Sequence, residues 1–346
     1  MREYTSPGEV EVSPEENLTD ALWKAAAEHP DRPALAFREG DRFVQWSAQR
    51  FADEVEAIAK GLMGLGVGKG DKVALYSATR LEWTLLDFAI WAAGAVTVPI
   101  YETSSSDQVK WIVSDSDAKV LIAENAELKA EYDAVADQLP NCEHLFVLDD
   151  AGIDALKEAG AQISDEDLKE RAGSIEGKDV ATIVYTSGTT GDPKGVLASH
   201  RSMLLHSFAT CMADHIGLRE ADVVLPVVPM FHAGAWGYPY AALLSGSRLV
   251  LPGPRTGPRE LGELIRRARR ADKHLATLSV DTVIRFRSPQ ARADFTRELT
   301  AAVNELVAKY HDEGAPGGRP HRLVLLAHPL PQPETQGEID HAREER

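Results

Sequence analysis

Along residues 17–254 the apolar positions change period repeatedly. Helical spacing over 18–28, 47–65, 82–93 and 108–115 is interleaved with short apolar runs at 34–37, 72–76, 96–100, 119–122 and 145–148. Farther on, 181–184 reads as a buried strand, 199–215 as a helix, and 223–228 and 248–251 as strands. Such alternation packs as a mostly parallel sheet flanked by helices on both faces, so an α/β fold is expected. No segment repeats. The run from Gly64 to Gly70 has Lys69 at the third glycine position of a dinucleotide fingerprint and precedes a strand. It therefore reads as a helix C-cap and a turn.

From residue 255 the texture changes. The pattern predicts a helix at 258–270, a strand at 275–286, a second helix at 291–310 and a strand at 323–327. The second helix would carry Phe295, Leu299, Ala302, Val303, Leu306 and Tyr310 on one face. Charge changes at the same place, across Pro252-Gly253-Pro254. Residues 1–254 hold 21 basic and 40 acidic side chains, whereas residues 255–325 hold 14 and 9. Three parts are expected: residues 1–254, a small basic α+β module at 255–328, and a disordered tail at 329–346. So small a module is marginal alone, and a core cut after Leu251 leaves sheet edges uncovered. Either the basic module docks on the acidic core or the chain is unstable.

Composition narrows the setting. The 346 residues are 44% hydrophobic and 26% charged, with a net charge of −17. Cys142 and Cys211 lack metal or redox-motif spacing, which points to a reducing compartment. The N-terminus is acidic and polar, unlike a signal peptide. The longest apolar run, Trp83 to Ile100, is broken by Asp87, Gly94 and Pro99, so no membrane span is expected. A cytoplasmic protein follows. His274, His311, His321 and His328 have no metal-ligand spacing, and no metal site is identified. Arg266, Arg267, Arg269 and Arg270 read first as a solvated helix end, so nucleic acid is not the expected partner.

The candidate chemistry lies at Tyr185-Thr186-Ser187-Gly188-Thr189-Thr190-Gly191-Asp192-Pro193-Lys194-Gly195. Its glycines permit positive φ and close backbone approach. Its hydroxyls and turn N–H groups can form an anion-binding nest, and Lys194 adds a point charge for phosphate oxygens. Pro193 and Gly195 exclude a Walker A loop. The order expected around it is strand, glycine-rich loop, helix.

This loop resembles the signature loop of the AMP-forming adenylating superfamily, which includes acyl-CoA synthetases. Thr19 to Leu22, Glu82 to Asp87 and Trp91 to Ser105 resemble long-chain fatty-acid–CoA ligases, over roughly residues 1–254. The resemblance implies an incomplete acyl-CoA-synthetase-like domain. It also implies that Thr186, Ser187, Gly188, Thr189, Thr190, Gly191 and Lys194 hold the β- and γ-phosphates of ATP. Phe231, His232 and Trp236 would line an acyl pocket, although His232 also reads as an ordinary core histidine. Implied co-reactants are a fatty acid or other carboxylate, ATP with Mg²⁺, and CoA. Residues after the loop resemble a second branch of these ligases, which suggests a chimeric chain. Residues 271–331 weakly resemble part of an ArsR-type regulator.

Family members also use an aromatic-Gly-x-Thr-Glu segment, a Thr-Gly-Asp segment and a lysine on a mobile domain. Residues 235–346 contain neither segment, and no lysine there sits in a comparable loop. No catalytic residue is therefore identified. Carboxylate activation crippled by these omissions is the first reading, with a second chain supplying the missing half left open. The alternatives are a non-catalytic nucleotide- or acyl-binding protein with a regulatory module, and a DNA-associated regulator.

Overall fold

The computed structural model describes residues 13–40, 42–186, 192–212, 216–226, 229–230, 237–251 and 253, with a few helical residues between 290 and 305. Helix α1 (Asp20–Glu28) leads into the antiparallel pair β1 (Pro33–Glu39) and β2 (Arg42–Ser47). Next come α2 (Ala48–Gly64), β3 (Lys72–Tyr76), α3 (Leu81–Ala92), β4 (Val96–Ile100), α4 (Ser106–Ser116) and β5 (Ala118–Ala123). They are followed by α5 (Ala126–Asp133), β6 (His144–Val147), α6 (Gly152–Ala159), α7 (Asp165–Gly173), β7 (Val180–Thr186) and β8 (Lys194–Ser199). The last are α8 (His200–Cys211), β9 (Val223–Val224), α9 (Tyr238–Ser245) and β10 (Arg248–Leu251).

The α/β expectation holds, but the strands form two sheets. One has the order β6-β5-β3-β4-β7-β8, parallel except for the antiparallel β7–β8 pair. The other has the order β2-β1-β10-β9. Strand alternation divides the interior: Val73 and Leu75 of β3 enter one apolar cluster, while Ala74 and Tyr76 enter another. The larger cluster collects α1, α2 and α3 with residues of both sheets; the smaller gathers α4 and α5 on the opposite face. Helix α3 is buried almost all round, as a helix between layers must be.

Several elements depart from the sequence pattern. Strands β2 and β8 and helices α5, α6, α7 and α9 were not expected. Strand β9 is confined to Val223–Val224, and residues 227–228 lie outside those described. The chain divides into two compact units, Met1–Glu260 and Leu261–Arg346. In the second, the described residues lie between 290 and 305, at and just before the helix expected at 291–310, and Leu299 and Ala302 are exposed. The strands expected at 275–286 and 323–327, and the tail, lie outside the described residues.

Two buried titratable groups sit beside Trp91. Asp87 of α3 accepts hydrogen bonds from Thr97 Oγ1 of β4 and Tyr240 Oη of α9, both at 2.7 Å. Burial pushes its carboxyl up to about 7, against the pull of those two hydroxyls. His200, at the start of α8, meets the Trp91 ring edge-on with centroids 5.8 Å apart. Its Nδ1 accepts from the Leu18 N–H at 3.4 Å. Burial pushes the imidazole down to about 4, partly opposed by Asp179.

The two groups act oppositely on stability. Between about pH 4 and 7 the native state keeps the Asp87 proton that the unfolded chain has lost, so this contribution falls as pH rises. Between about pH 6.5 and 4 the unfolded chain takes up the histidine proton first, so stability falls as pH drops. Asp87→Asn should remove the first slope and expose the second. From pH 5 to 7 the variant should gain on wild type by up to about 1.4 kcal/mol per pH unit in urea denaturation. Parallel pH curves for the two proteins would refute this assignment.

Helix packing sets a second test. A Cβ on Gly61 of α2 would lie 2.0 Å from the Leu156 carbonyl oxygen of α6. Gly61→Ala should therefore force the helices apart and cost about 1–3 kcal/mol, seen as a lower urea midpoint. An unchanged midpoint would mean that α6 moves freely.

Candidate functional site

The parallel sheet places its openings by topology. From β3 the chain crosses through α3 to β4, and from β4 it returns through α4 on the other face to β5. Connections leaving neighbouring strands on opposite faces open a crevice at their carboxyl ends, where α/β proteins bind ligands. Strand β7 lies next to β4 and points the same way. The β4–β7 pairing is confined to Thr97↔Thr182, reinforced by Thr182 Oγ1 donating to the Thr97 carbonyl at 2.9 Å. Pro99, two residues farther along β4, has no N–H with which to extend a ladder.

Strand β7 delivers the candidate loop to this end. Thr186 closes β7 and Lys194 opens β8, and the two stand opposite each other in the antiparallel register. Both are exposed. Ser187, Gly188, Thr189, Thr190 and Gly191 lie outside the described residues. The register also pairs Tyr185 with Gly195. A Cβ at Gly195 would come within 2.9 Å of Ile183 Cγ2 and 3.2 Å of Tyr185 Cζ. Glycine stands there because the neighbouring side chains occupy that space.

The expected strand–loop–helix order is corrected here. The segment after the loop is a strand, and the helix begins only at His200, with Ser199 accepting the Ser202 N–H. Strand β8 is six residues long. At about 3.3 Å per residue it carries the helix N-terminus well over 10 Å from the loop. A helix dipole falls off within one turn, so α8 adds little field at the loop. Anion affinity there must come from N–H groups, hydroxyls and Lys194.

Phe231, His232 and Trp236 also lie outside the described residues, but their flanks are placed. Met230 is buried, with its sulfur 3.7 Å from Thr84 Oγ1 of α3. Gly237, with φ of +92°, abuts His206 of α8; a Cβ would lie 2.5 Å from the ring. A cavity of about 180 Å³ is lined by Ser202, Met203, His206, Gly237 and Tyr240. This is smaller than a typical drug-sized pocket of about 300–1,000 Å³. A cavity of about 290 Å³ lies instead at the amino ends of the strands, between Lys69, Lys72 and Val180. Its Lys69 is paired with Asp179 at 2.8 Å.

Sequence reasoning missed the groups that support the site. Asp87 counted only as a break in an apolar run, yet it joins α3, β4 and α9. Trp91 donates its indole N–H to the Ala181 carbonyl at 2.8 Å and so fixes the start of β7. A carboxylate inside an apolar helix was the available signal. Among the described residues no three His, Cys, Asp or Glu side chains converge as a metal site. No described helix is long and apolar enough to cross a membrane.

Comparison with known proteins agrees with this architecture. A long-chain-fatty-acid–CoA ligase, FadD15, of Mycobacterium bovis is 36% identical over 249 residues, covering 71% of this chain and 41% of that protein. A long-chain-fatty-acid–CoA ligase of Thermus thermophilus is 35% identical over 250 residues, covering 72% of this chain and 45% of that protein. The chain thus spans less than half the length of these two relatives. The crystal structure of a long-chain-fatty-acid-CoA ligase, FadD1, from Archaeoglobus fulgidus has a TM-score of 0.65 at 23% identity. It covers 77% of this chain and 52% of its own, and it speaks to the fold. The AMP-binding enzyme family matches residues 22–303, continuing past the boundary expected at 254, and lends no support to a chimeric or regulator-like reading. The chain belongs to the AMP-binding enzyme family.

Proposed function

We propose that this chain holds the phosphates of ATP on the β7–β8 loop as part of a fatty-acid–CoA ligase-like activation of a carboxylate. The observation that carries this reading is the hairpin itself. Thr186 and Lys194 face each other at its base, at the carboxyl end of a parallel sheet. Thr186, Ser187, Gly188, Thr189, Thr190, Gly191 and Lys194 would hold the β- and γ-phosphates, with N–H and O–H groups donating to the oxygens. Phe231, His232 and Trp236 would wall the acyl group, next to the cavity at Gly237 and His206. The carboxylate would attack the α-phosphate, giving acyl-AMP and pyrophosphate, before the acyl group passes to the thiol of CoA.

Two anions must meet in that step, so cationic and N–H donors have to face the developing charge. Mg²⁺ would enter as part of the Mg·ATP substrate. The Thr-Gly-Asp and aromatic-Gly-x-Thr-Glu segments do not occur in residues 235–346. Loss of a single preorganised donor typically costs about 10²–10³ in rate. The chain alone is therefore expected to bind ATP and to activate a carboxylate slowly.

Titration calorimetry with Mg·ATP tests the holding step. Lys194→Ala should weaken binding about ten-fold or more, the loss of a charge-assisted contact. Fatty-acid-dependent exchange of pyrophosphate into ATP reads the chemical step. Binding without exchange would favour the non-catalytic alternative. Equal ATP affinity in wild type and Lys194→Ala would overturn the proposal.

A further inference from the structure

Helix α4 is tied to the hairpin on both sides of its loop, at the end of β7 and at the loop residue that leads into β8. On one stem, Tyr185 donates its hydroxyl to Asp115 Oδ2 at 2.7 Å. On the β8 side, Trp111 donates its indole N–H to the carbonyl of Pro193, the last loop residue before β8, at 2.8 Å. Tyr185 precedes Thr186 and Pro193 precedes Lys194, so one tie falls one residue outside the pair that closes the loop and the other one residue inside it. Trp111 and Asp115 are four residues apart, which stacks their side chains one turn above the other on a single helix face.

The sheet alone does not fix this end of the hairpin. The β7–β8 ladder sets the spacing of the two stems, from Val180↔Ser199 to Thr186↔Lys194. It does not set how the pair rolls relative to the rest of the sheet. Strand β7 joins β4 only at Thr97↔Thr182, four residues before Thr186. Strand β8 is the last in the sheet order, and its Val196 and Leu197 are 52% and 64% exposed. Past Thr182 the described polar ties across to the body of the domain are those from α4.

Helix α4 is itself firmly held. Val109, Ile112 and Val113 are buried in the cluster that also contains Tyr185. A Ser105–Gln108 capping box fixes its first turn. Asp115 and Trp111 face outward on the helix, so neither is needed to fill the core. Burial, together with the Asp115 charge, pushes the Tyr185 hydroxyl up, so it stays a donor across the neutral range.

We propose that Trp111 and Asp115 are positioning residues for the phosphate loop: helix α4 sets the roll of the β7–β8 hairpin, and with it the direction in which Thr186 and Lys194 present their donors. This rests on the phosphate-holding reading above.

The test compares Mg·ATP affinity with thermal stability in the full chain. Tyr185→Phe deletes one hydroxyl and leaves Asp115 in water; Trp111→Phe deletes the N–H and keeps a ring. Each should weaken Mg·ATP binding about three- to five-fold, and the pair about ten-fold, while Tm moves by no more than about 2–4 °C. Asp115→Asn keeps an oxygen that can accept the Tyr185 hydroxyl and should bind near wild type, whereas Asp115→Ala should match Tyr185→Phe. If Trp111→Phe fails to fold, Tyr185→Phe and the two Asp115 variants decide. Wild-type affinity in Tyr185→Phe and Trp111→Phe, with Lys194→Ala impaired, would overturn the inference and leave the phosphate reading standing. A wild-type chain that binds no Mg·ATP would overturn that reading and this inference with it.

Discussion

One buried carboxyl group ties the two halves of the core together. Asp87 sits on the helix between the sheets and takes hydroxyl donors from β4 in one sheet and from α9, which leads directly into β10 of the other. A buried polar group that loses a hydrogen-bond partner bears the full cost of its desolvation. Both hydroxyls are therefore needed where the apolar surfaces around them close. The aromatic edges of Phe88, Trp91 and Tyr240 pack round this point, with centroids 5.0–5.9 Å apart. From the same helix, Trp91 reaches the start of β7. The orientation of the candidate loop begins here.

How much of this was legible depended on how strongly each element expresses its period. Strands β3, β4 and β5 are continuous apolar runs, buried on both faces, and their limits were readable within a residue or two. Helix α2 announces itself by its apolar stripe and by the serine that caps it. Helix α7 buries only Leu168, and α6 only Gly152 and Leu156, so there was too little apolar signal to find them. Strand β2 alternates exposed and half-buried residues on a sheet edge, which a search for buried strands passes over.

The candidate loop shows the other kind of limit. Its residue types named the chemistry, because few backbones need several glycines, several hydroxyls and a lysine together. Its surroundings were misjudged, because loops of this composition so often lead into a helix. Strand β8 is short, half exposed and glycine-bearing, and it has no alternation of its own to reveal it. It exists because β7 offers it a ladder. The ties from α4 come from residues about 75 positions earlier, and no local pattern could have linked them to the loop.

The crossing of Tyr185 over Gly195 carries a consequence for descent. The aromatic ring is accommodated only because its cross-strand partner has no side chain. The glycine in turn is a weak strand former unless a neighbour covers its backbone. Each residue supplies the reason for the other. Among relatives the two positions should be inherited as one unit, lost or exchanged together, even though nine residues of sequence separate them.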